Sequence, residues 1–213
     1  MTDFRAMRRE YGDAPLQRRD LPADPFVLFR DWLHAAEGAG VIEPNAMALA
    51  TCGEDGQPAC RIVLLKGLDD SGLTFFTNYE SDKARQIEGN ARAAATFWWS
   101  LPRPRQVRIA GTVSKAPDSV SDAYFRSRPR EAQLASAGSP QSRIVHDREE
   151  LQAHVQRLAD KHPIGPVPRP AHWGGYVLQP VTVEFWQGRD HRLHDRFRYT
   201  RATEGWRIDR VAP

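Results

Sequence analysis

Two cations bracket one apolar run in this chain, Arg61-Ile62-Val63-Leu64-Leu65-Lys66. Two readings stand for it: a buried strand whose ends emerge into solvent, or a strand passing beside an anionic ligand. A second group is Phe76-Thr77 followed by Ser81-Asp82-Lys83, where a strand end leads into a helix start capped by Ser81. Free backbone N–H groups and the positive end of the helix dipole favour an anion there, and Lys83 adds a point charge. Asp82 speaks for a plain capped helix, because it suits a first turn and would repel a phosphate. In a third group, Ser127-Arg128-Pro129-Arg130, two Arg lie beside a helix-stopping Pro. That is either a phosphate clamp or a solvated basic turn. Gln141-Ser142-Arg143 is a polar loop triplet that says little alone. The fifth group joins Glu184-Phe185-Trp186-Gln187 to His191-Arg192-Leu193-His194-Asp195-Arg196-Phe197 through a turn. On a strand from Arg192 to Thr200, Arg192, His194 and Arg196 share one face, and Leu193, Asp195 and Phe197 the other. Three cation-capable side chains on one face repel each other, so this face reads as a pocket wall for an anion, with Trp186 as a flat apolar side.

Strands and a few helices must position these groups. Asp24-Pro25 opens a helix whose Phe26, Phe29, Leu33 and Ala36 recur on one side, and Gly38 and Gly40 end it. Met47–Thr51 and Ala59–Leu68 form a hairpin around Asp55-Gly56. Further strands are predicted at Leu73–Thr77, Ala93–Trp99, Gln106–Lys115, Gly175–Trp186, Arg192–Thr200 and Trp206–Val211. Helices are predicted after Ser81, from Asp118 to about Arg126, and after Asp147. His162–Pro170 holds four prolines and reads as a rigid linker or loop. Without regular strand–helix alternation a parallel sheet is disfavoured, and an antiparallel barrel with helices packed outside fits best.

Composition narrows the function further. The chain has 213 residues, 40% of them hydrophobic, and a net charge of +3. Of 30 basic residues, 26 are Arg and 4 are Lys. So small a net charge argues against a non-specific nucleic-acid binder and fits local anion pockets. No apolar run approaches the roughly 18 residues that cross a bilayer. Cys52 and Cys60 lack metal-site spacing and read as reduced thiols of a cytoplasmic protein. Dinucleotide, Walker-type, zinc-protease and nucleophile-elbow motifs are all missing.

Several segments taken together resemble the pyridoxamine 5′-phosphate oxidase family. They are Arg8-Arg9-Glu10-Tyr11, Asp20-Leu21-Pro22-Ala23-Asp24-Pro25, Arg61 to Lys66, Ser127 to Arg130, Glu184 to Gly188, Arg192 to Arg196 and Ile208 to Pro213. The resemblance spans about residue 8 to residue 213. It implies an FMN-binding split β-barrel of mainly β with α class, antiparallel with helices outside. Residues 1–22 would be an arm contributing to the substrate site and 23–213 a single domain. It implies a homodimer with FMN at the subunit interface. The activity implied is oxidation of pyridoxamine or pyridoxine 5′-phosphate to pyridoxal 5′-phosphate, with dioxygen as acceptor and hydrogen peroxide as product.

Matched residue by residue, the implied FMN contacts are Arg61, Ile62, Val63, Leu64, Leu65, Lys66, Phe76, Thr77, Lys83, Gln106, Gln141, Ser142, Trp186 and Arg196. The implied substrate contacts are Arg8, Arg9, Glu10, Tyr11, Lys66, Tyr124, Arg128, Arg192, Leu193 and His194. Arg192 and His194 stand nearest the chemistry: Arg192 covers the pyridine ring on the side away from the flavin, and His194 bonds a ring substituent. Two positions depart from the family pattern. Asp82 stands where a basic residue is common, which weakens the flavin phosphate grip. Ala132 stands where a hydroxyl is usual, which removes one bond to the substrate phosphate. Two other functions fit the same residues: a related flavin oxidase acting on another aromatic substrate such as a phenazine precursor, and a carrier of flavin or pyridoxal phosphate without turnover.

Overall fold

Asp24 accepts a hydrogen bond from the Phe26 N–H at 2.9 Å, and Pro25 begins helix α1 (Pro25–Gly38) as the sequence predicts. The buried face of α1 is Phe26, Leu28, Phe29, Trp32 and Ala36, so Trp32 takes the core place assigned to Leu33. The computed structural model describes residues 3–6 and 10–213; Arg8 and Arg9 lie outside the described residues.

After α1 come β1 (Ala46–Cys52), β2 (Pro58–Leu64), β3 (Gly67–Asp69), β4 (Gly72–Asn78), α2 (Asp82–Gly89), β5 (Arg92–Trp99) and β6 (Arg105–Lys115). Then follow α3 (Asp118–Ser127), α4 (Arg130–Gly138), α5 (Arg148–Lys161), β7 (Trp173–Gln187), β8 (Asp195–Arg201) and β9 (Trp206–Arg210). The strands hydrogen-bond in the order β2-β1-β5-β6-β7-β4-β3, and β8 bridges β7 and β9. The pairs β3·β4, β4·β7, β7·β8 and β8·β9 are antiparallel. Residues 173–178 of β7 pair with β4 and residues 182–187 with β8. Pro180, which has no N–H to give a ladder, falls in the gap where the partner changes.

The chain forms two compact units. One comprises residues 1–49, 94–111 and 180–213, the other residues 50–93 and 112–179. In the first, Phe29 meets Phe97 edge-on at 4.9 Å and Trp32 meets Phe185 at 5.2 Å. In the second, Phe125, Leu134, Val167 and Trp173 form a core with Val155 and Leu158 of α5 against it. Val167 comes from the proline-rich stretch, which is therefore a loop anchored in this unit. Arg130 donates to the carbonyls of His162 and Gly165, tying that loop to α4.

Three local expectations are corrected. Ser81 does not cap α2 through its side chain; its hydroxyl donates instead to the Asn78 carbonyl at 2.7 Å. Helix α4 has no counterpart in the sequence reading. Pro129 both ends α3 and precedes a new helix, because a residue before Pro is pushed out of the helical region and Arg128 sits at φ −78°, ψ 150°. The strand expected from Arg192 starts only at Asp195. Residues 190–192 form a tight turn in which His191 and Arg192 have φ of 56° and 61°. Left-handed backbone cannot continue a pleat, so Arg192, His194 and Arg196 do not share a strand face.

Candidate functional site

The second unit holds a cavity of about 500 Å³. Ile62, Val63, Leu64 and Lys66 line it from β2 and the link to β3; Phe76, Thr77 and Lys83 line it from β4 and α2. Tyr124, Arg128, Ser136, Ser139, Gln141 and Trp173 complete the polar and aromatic wall. No carboxylate is among its lining residues.

Lys83 is the centre of one end. Its side chain is buried, with 8% of the residue exposed. Nζ donates to Thr77 Oγ1, Ser81 Oγ and Gln141 Oε1, each at 3.0 Å. Three neutral oxygens hold a cation that has no carboxylate within ion-pairing distance among the described residues. Burial, and then the nearby Arg61 guanidinium, push its pKa down to about 8, with Asp82 acting the other way. Such a site lacks only an anion to balance it. Arg61 donates to Thr51 Oγ1 at 2.5 Å and to Gln86 Oε1 at 3.1 Å. It does not line the cavity itself, and Leu65 is buried in the core.

The other cation, Arg128, lies over the Trp173 ring at 5.0 Å and donates to Ser136 Oγ at 2.7 Å. Burial lowers its pKa, and it too has no carboxylate partner among the described residues. Phe76, Tyr124 and Trp173 stack, with Phe76 4.0 Å from Tyr124 and 5.5 Å from Trp173 between ring centres. Of the two Arg at the α3–α4 break, only Arg128 faces the cavity.

Gln141 joins the lysine cage, and the Ser142 hydroxyl accepts the Asp82 N–H at 3.2 Å. The Asp82 carboxylate itself pairs with Arg85 on an exposed face, where the two side chains are 60% and 45% exposed. It faces solvent, not the lysine cage.

The remaining predicted residues belong to the first unit. Tyr11 meets Trp186 edge-on at 6.2 Å and His194 at 5.8 Å, and Trp186 lies 4.7 Å from His194. Asp190 Oδ1 accepts the N–H groups of Tyr11 and Gly12, both at 2.8 Å, fastening this part of the arm. His194 Nδ1 accepts the Arg189 N–H at 3.0 Å, so the neutral ring carries its proton on Nε2. Burial, and then Arg192, lower its pKa, which keeps the ring neutral at pH 7. Arg196 donates to Glu184 Oε1 at 2.9 Å and to the Ala212 carbonyl at 2.7 Å. Arg192, Leu193 and Glu10 are exposed, and Gln106 is half-buried on β6.

Sequence reasoning missed Ser136, Ser139 and Asp190, and it named Glu184 without assigning it a role. The first two sit on or beside the unread helix α4. The signal for Asp190 was its place in a turn of Gly, Arg and Asp.

Residues 33–162 match the family model described as pyridoxamine 5′-phosphate oxidase. Residues 173–213 match one described as the pyridoxine 5′-phosphate oxidase C-terminal dimerisation region. Pyridoxine/pyridoxamine 5′-phosphate oxidase of Salinibacter ruber is 49% identical over 216 residues, covering 100% of both chains. The protein of that name from Pseudomonas paraeruginosa is 49% identical, covering 97% of each. Among solved structures, PhzG from Burkholderia lata in complex with tetrahydrophenazine-1-carboxylic acid matches with a TM-score of 0.87 and 32% identity, covering 95% of this chain and 100% of that one. The fold is the mainly antiparallel split β-barrel with helices that the sequence implied. Two family models and full-length relatives at nearly half identity place the chain in the pyridoxamine 5′-phosphate oxidase family.

Proposed function

We propose that this chain is an FMN-dependent oxidase converting pyridoxine 5′-phosphate and pyridoxamine 5′-phosphate to pyridoxal 5′-phosphate. The observation that carries the reading is one carboxylate-free cavity lined by a buried cation, Lys83, and a half-buried one, Arg128, each with only neutral hydrogen-bond partners. Cofactor and substrate each bring a phosphate, and each cation offers one a place. The lysine cage fits FMN: its ammonium is desolvated, its three hydrogen-bond partners are neutral, and no carboxylate lines the cavity. Bound there, FMN would supply a hydride acceptor for the substrate C4′ carbon, with dioxygen as the final acceptor and hydrogen peroxide as product.

The protein's own residues bind and orient. Lys83, Thr77 and Gln141 hold the flavin phosphate with support from Arg61 and Ser142; Gln106, Trp186 and Arg196 are further FMN contacts implied by the family resemblance. Lys66, Tyr124 and Arg128 hold the substrate phosphate, and Phe76 and Trp173 supply flat apolar walls. Arg8, Arg9, Glu10 and Tyr11 are the substrate contacts that the family resemblance implies for the N-terminal segment. Arg192 covers the pyridine ring, and His194 donates its Nε2 proton to a ring substituent. Neither acts as a strong base, since hydride transfer asks for two rings held face to face. Residues 173–213 match a dimerisation region, which supports a homodimer. No helix among the described residues is long and apolar enough to cross a membrane; with two free thiols, this supports a cytoplasmic protein.

The test is anaerobic. Pyridoxine 5′-phosphate added to the FMN-loaded protein bleaches the flavin absorbance, air restores it, and pyridoxal 5′-phosphate accumulates. Flavin that stays yellow with both phosphorylated substrates overturns the reading. Bleaching by an unphosphorylated aromatic compound alone would favour a substrate of the phenazine type, the class of compound found in complex with the 32% identical PhzG.

Two further outcomes are expected. Asp82→Arg leaves FMN affinity within about threefold, because an exposed carboxylate already paired with Arg85 contributes little at a distance. A titration of apoprotein at low salt checks this. Asp190→Ala removes the acceptor of two arm N–H groups. It raises the KM for substrate by about tenfold and speeds proteolysis of the arm, while FMN affinity holds. Asp190→Asn, which keeps a carbonyl acceptor, recovers most of the loss.

A further inference from the structure

Helix α4 carries a hydroxyl, Ser136, into the cavity wall beside Arg128. The Arg128 guanidinium donates to Ser136 Oγ at 2.7 Å. A hydroxyl has one proton to give and two lone pairs to receive with, so this contact leaves its donor unused. A helical serine commonly spends that donor on the carbonyl four residues back. Here that would be Ala132, and no such bond forms; nor does any other described residue accept from Ser136. Lys66, Tyr124 and Arg128, two cations and a phenol, line the same cavity, and no carboxylate does. Contact with the guanidinium polarises the O–H and makes it a better donor. A hydroxyl with its donor free beside a guanidinium, in a cavity that two further cations line, favours an oxyanion with several oxygens.

We propose that Ser136 is a binding residue for the substrate phosphate, donating to one phosphate oxygen while its own oxygen steadies Arg128. This rests on the oxidase reading above. Ala132 does not line the cavity, and Ser136 does. The flavin phosphate is not the intended partner, since the lysine cage already provides for it.

The experiment compares FMN-loaded wild type, Ser136→Ala and Ser136→Thr. It reads KM and kcat for pyridoxine 5′-phosphate, FMN affinity, and binding of inorganic phosphate by phosphorus NMR. Ser136→Ala is expected to raise KM about tenfold, to lower kcat much less, and to weaken inorganic phosphate to the same degree. Ser136→Thr restores both to within about threefold, because the donor returns. An equal loss of FMN affinity would overturn the proposal, showing that the flavin phosphate occupies this end. Unchanged KM and unchanged phosphate binding would also overturn it, leaving Ser136 as a prop for Arg128. If wild type oxidises neither phosphorylated substrate, the oxidase reading fails, and the phosphate titration still decides the role of Ser136.

Discussion

Replacing Lys83 by Met weakens FMN binding to the apoprotein about 100-fold, the worth of a charge-assisted contact in a desolvated place. It also abolishes a pH dependence that the wild type shows. In the apoprotein the Lys83 pKa sits at about 8, below its ordinary value of 10.5. Below pH 8 the buried cation is present and costs the empty fold stability. That cost is relieved as pH rises from about 8 toward 10.5, because the folded state gives up its proton first. Phosphate binding reverses the balance, since the ligand needs the ammonium. Affinity is therefore level from about pH 7, where the phosphate is already dianionic. It falls as pH rises through about 8, approaching tenfold per unit, because binding must then take up a proton. Fluorescence titrations of apoprotein with FMN at several pH values check both statements. A Met variant within threefold of wild type, or one with the same pH curve, contradicts them.

Glu184→Ala costs about 3 kcal/mol of stability and lowers the Tm by about 10 °C. Glu184 is 5% exposed and receives Arg196 at 2.9 Å and Arg198 at 2.9 Å, with Arg108 3.6 Å away. Burial alone would push its carboxyl up; hydrogen bonds from Arg196 and Arg198 outweigh that and hold it below the usual value. Its contribution is thus present above pH 4.5 and is lost as pH falls below. Arg108 and Arg198 have side chains 57% and 44% exposed and relax into water once the carboxylate is gone. Arg196, at 21%, does not, so most of the penalty is its stranded charge. The double variant Glu184→Ala, Arg196→Ala should recover much of the lost stability, and thermal melts of the four proteins close the cycle. If the double variant melts as low as the sum of the singles, Arg196 is not where the cost resides.

The local chemistry of the site was legible where it depends on neighbours in sequence. Asp24-Pro25 announced α1, and Arg61 to Lys66 and Phe76-Thr77 announced strands that reach the cavity. What escaped depends on distant partners. The cage around Lys83 is closed by Gln141, 58 residues away, and no spacing rule reveals that. Alternation misled at Arg192, because it presumes a pleated backbone and His191 and Arg192 are left-handed. Helix α4 escaped because its sequence, Arg130 to Gly138, buries only Gln133 and Leu134 and so shows no apolar period. With it went Ser136. Asp82 was read from its neighbour Lys83, whereas its side chain answers to Arg85 one turn on.

Phe76 and Tyr79 lie across β7 at Gly174 and Gly175. A methyl group on Gly174 would stand 2.1 Å from the Tyr79 hydroxyl oxygen, and one on Gly175 would stand 3.0 Å from the Phe76 ring and 2.9 Å from Ala116 Cβ. At Phe76 the cavity wall therefore owes its position to a side chain that does not exist. In a survey of inactive variants, alanine at Gly175 would score with the ligand-gripping residues, although Gly175 is not within the cavity lining. A map of such a site drawn only from contacts would omit the residues that keep the wall in place.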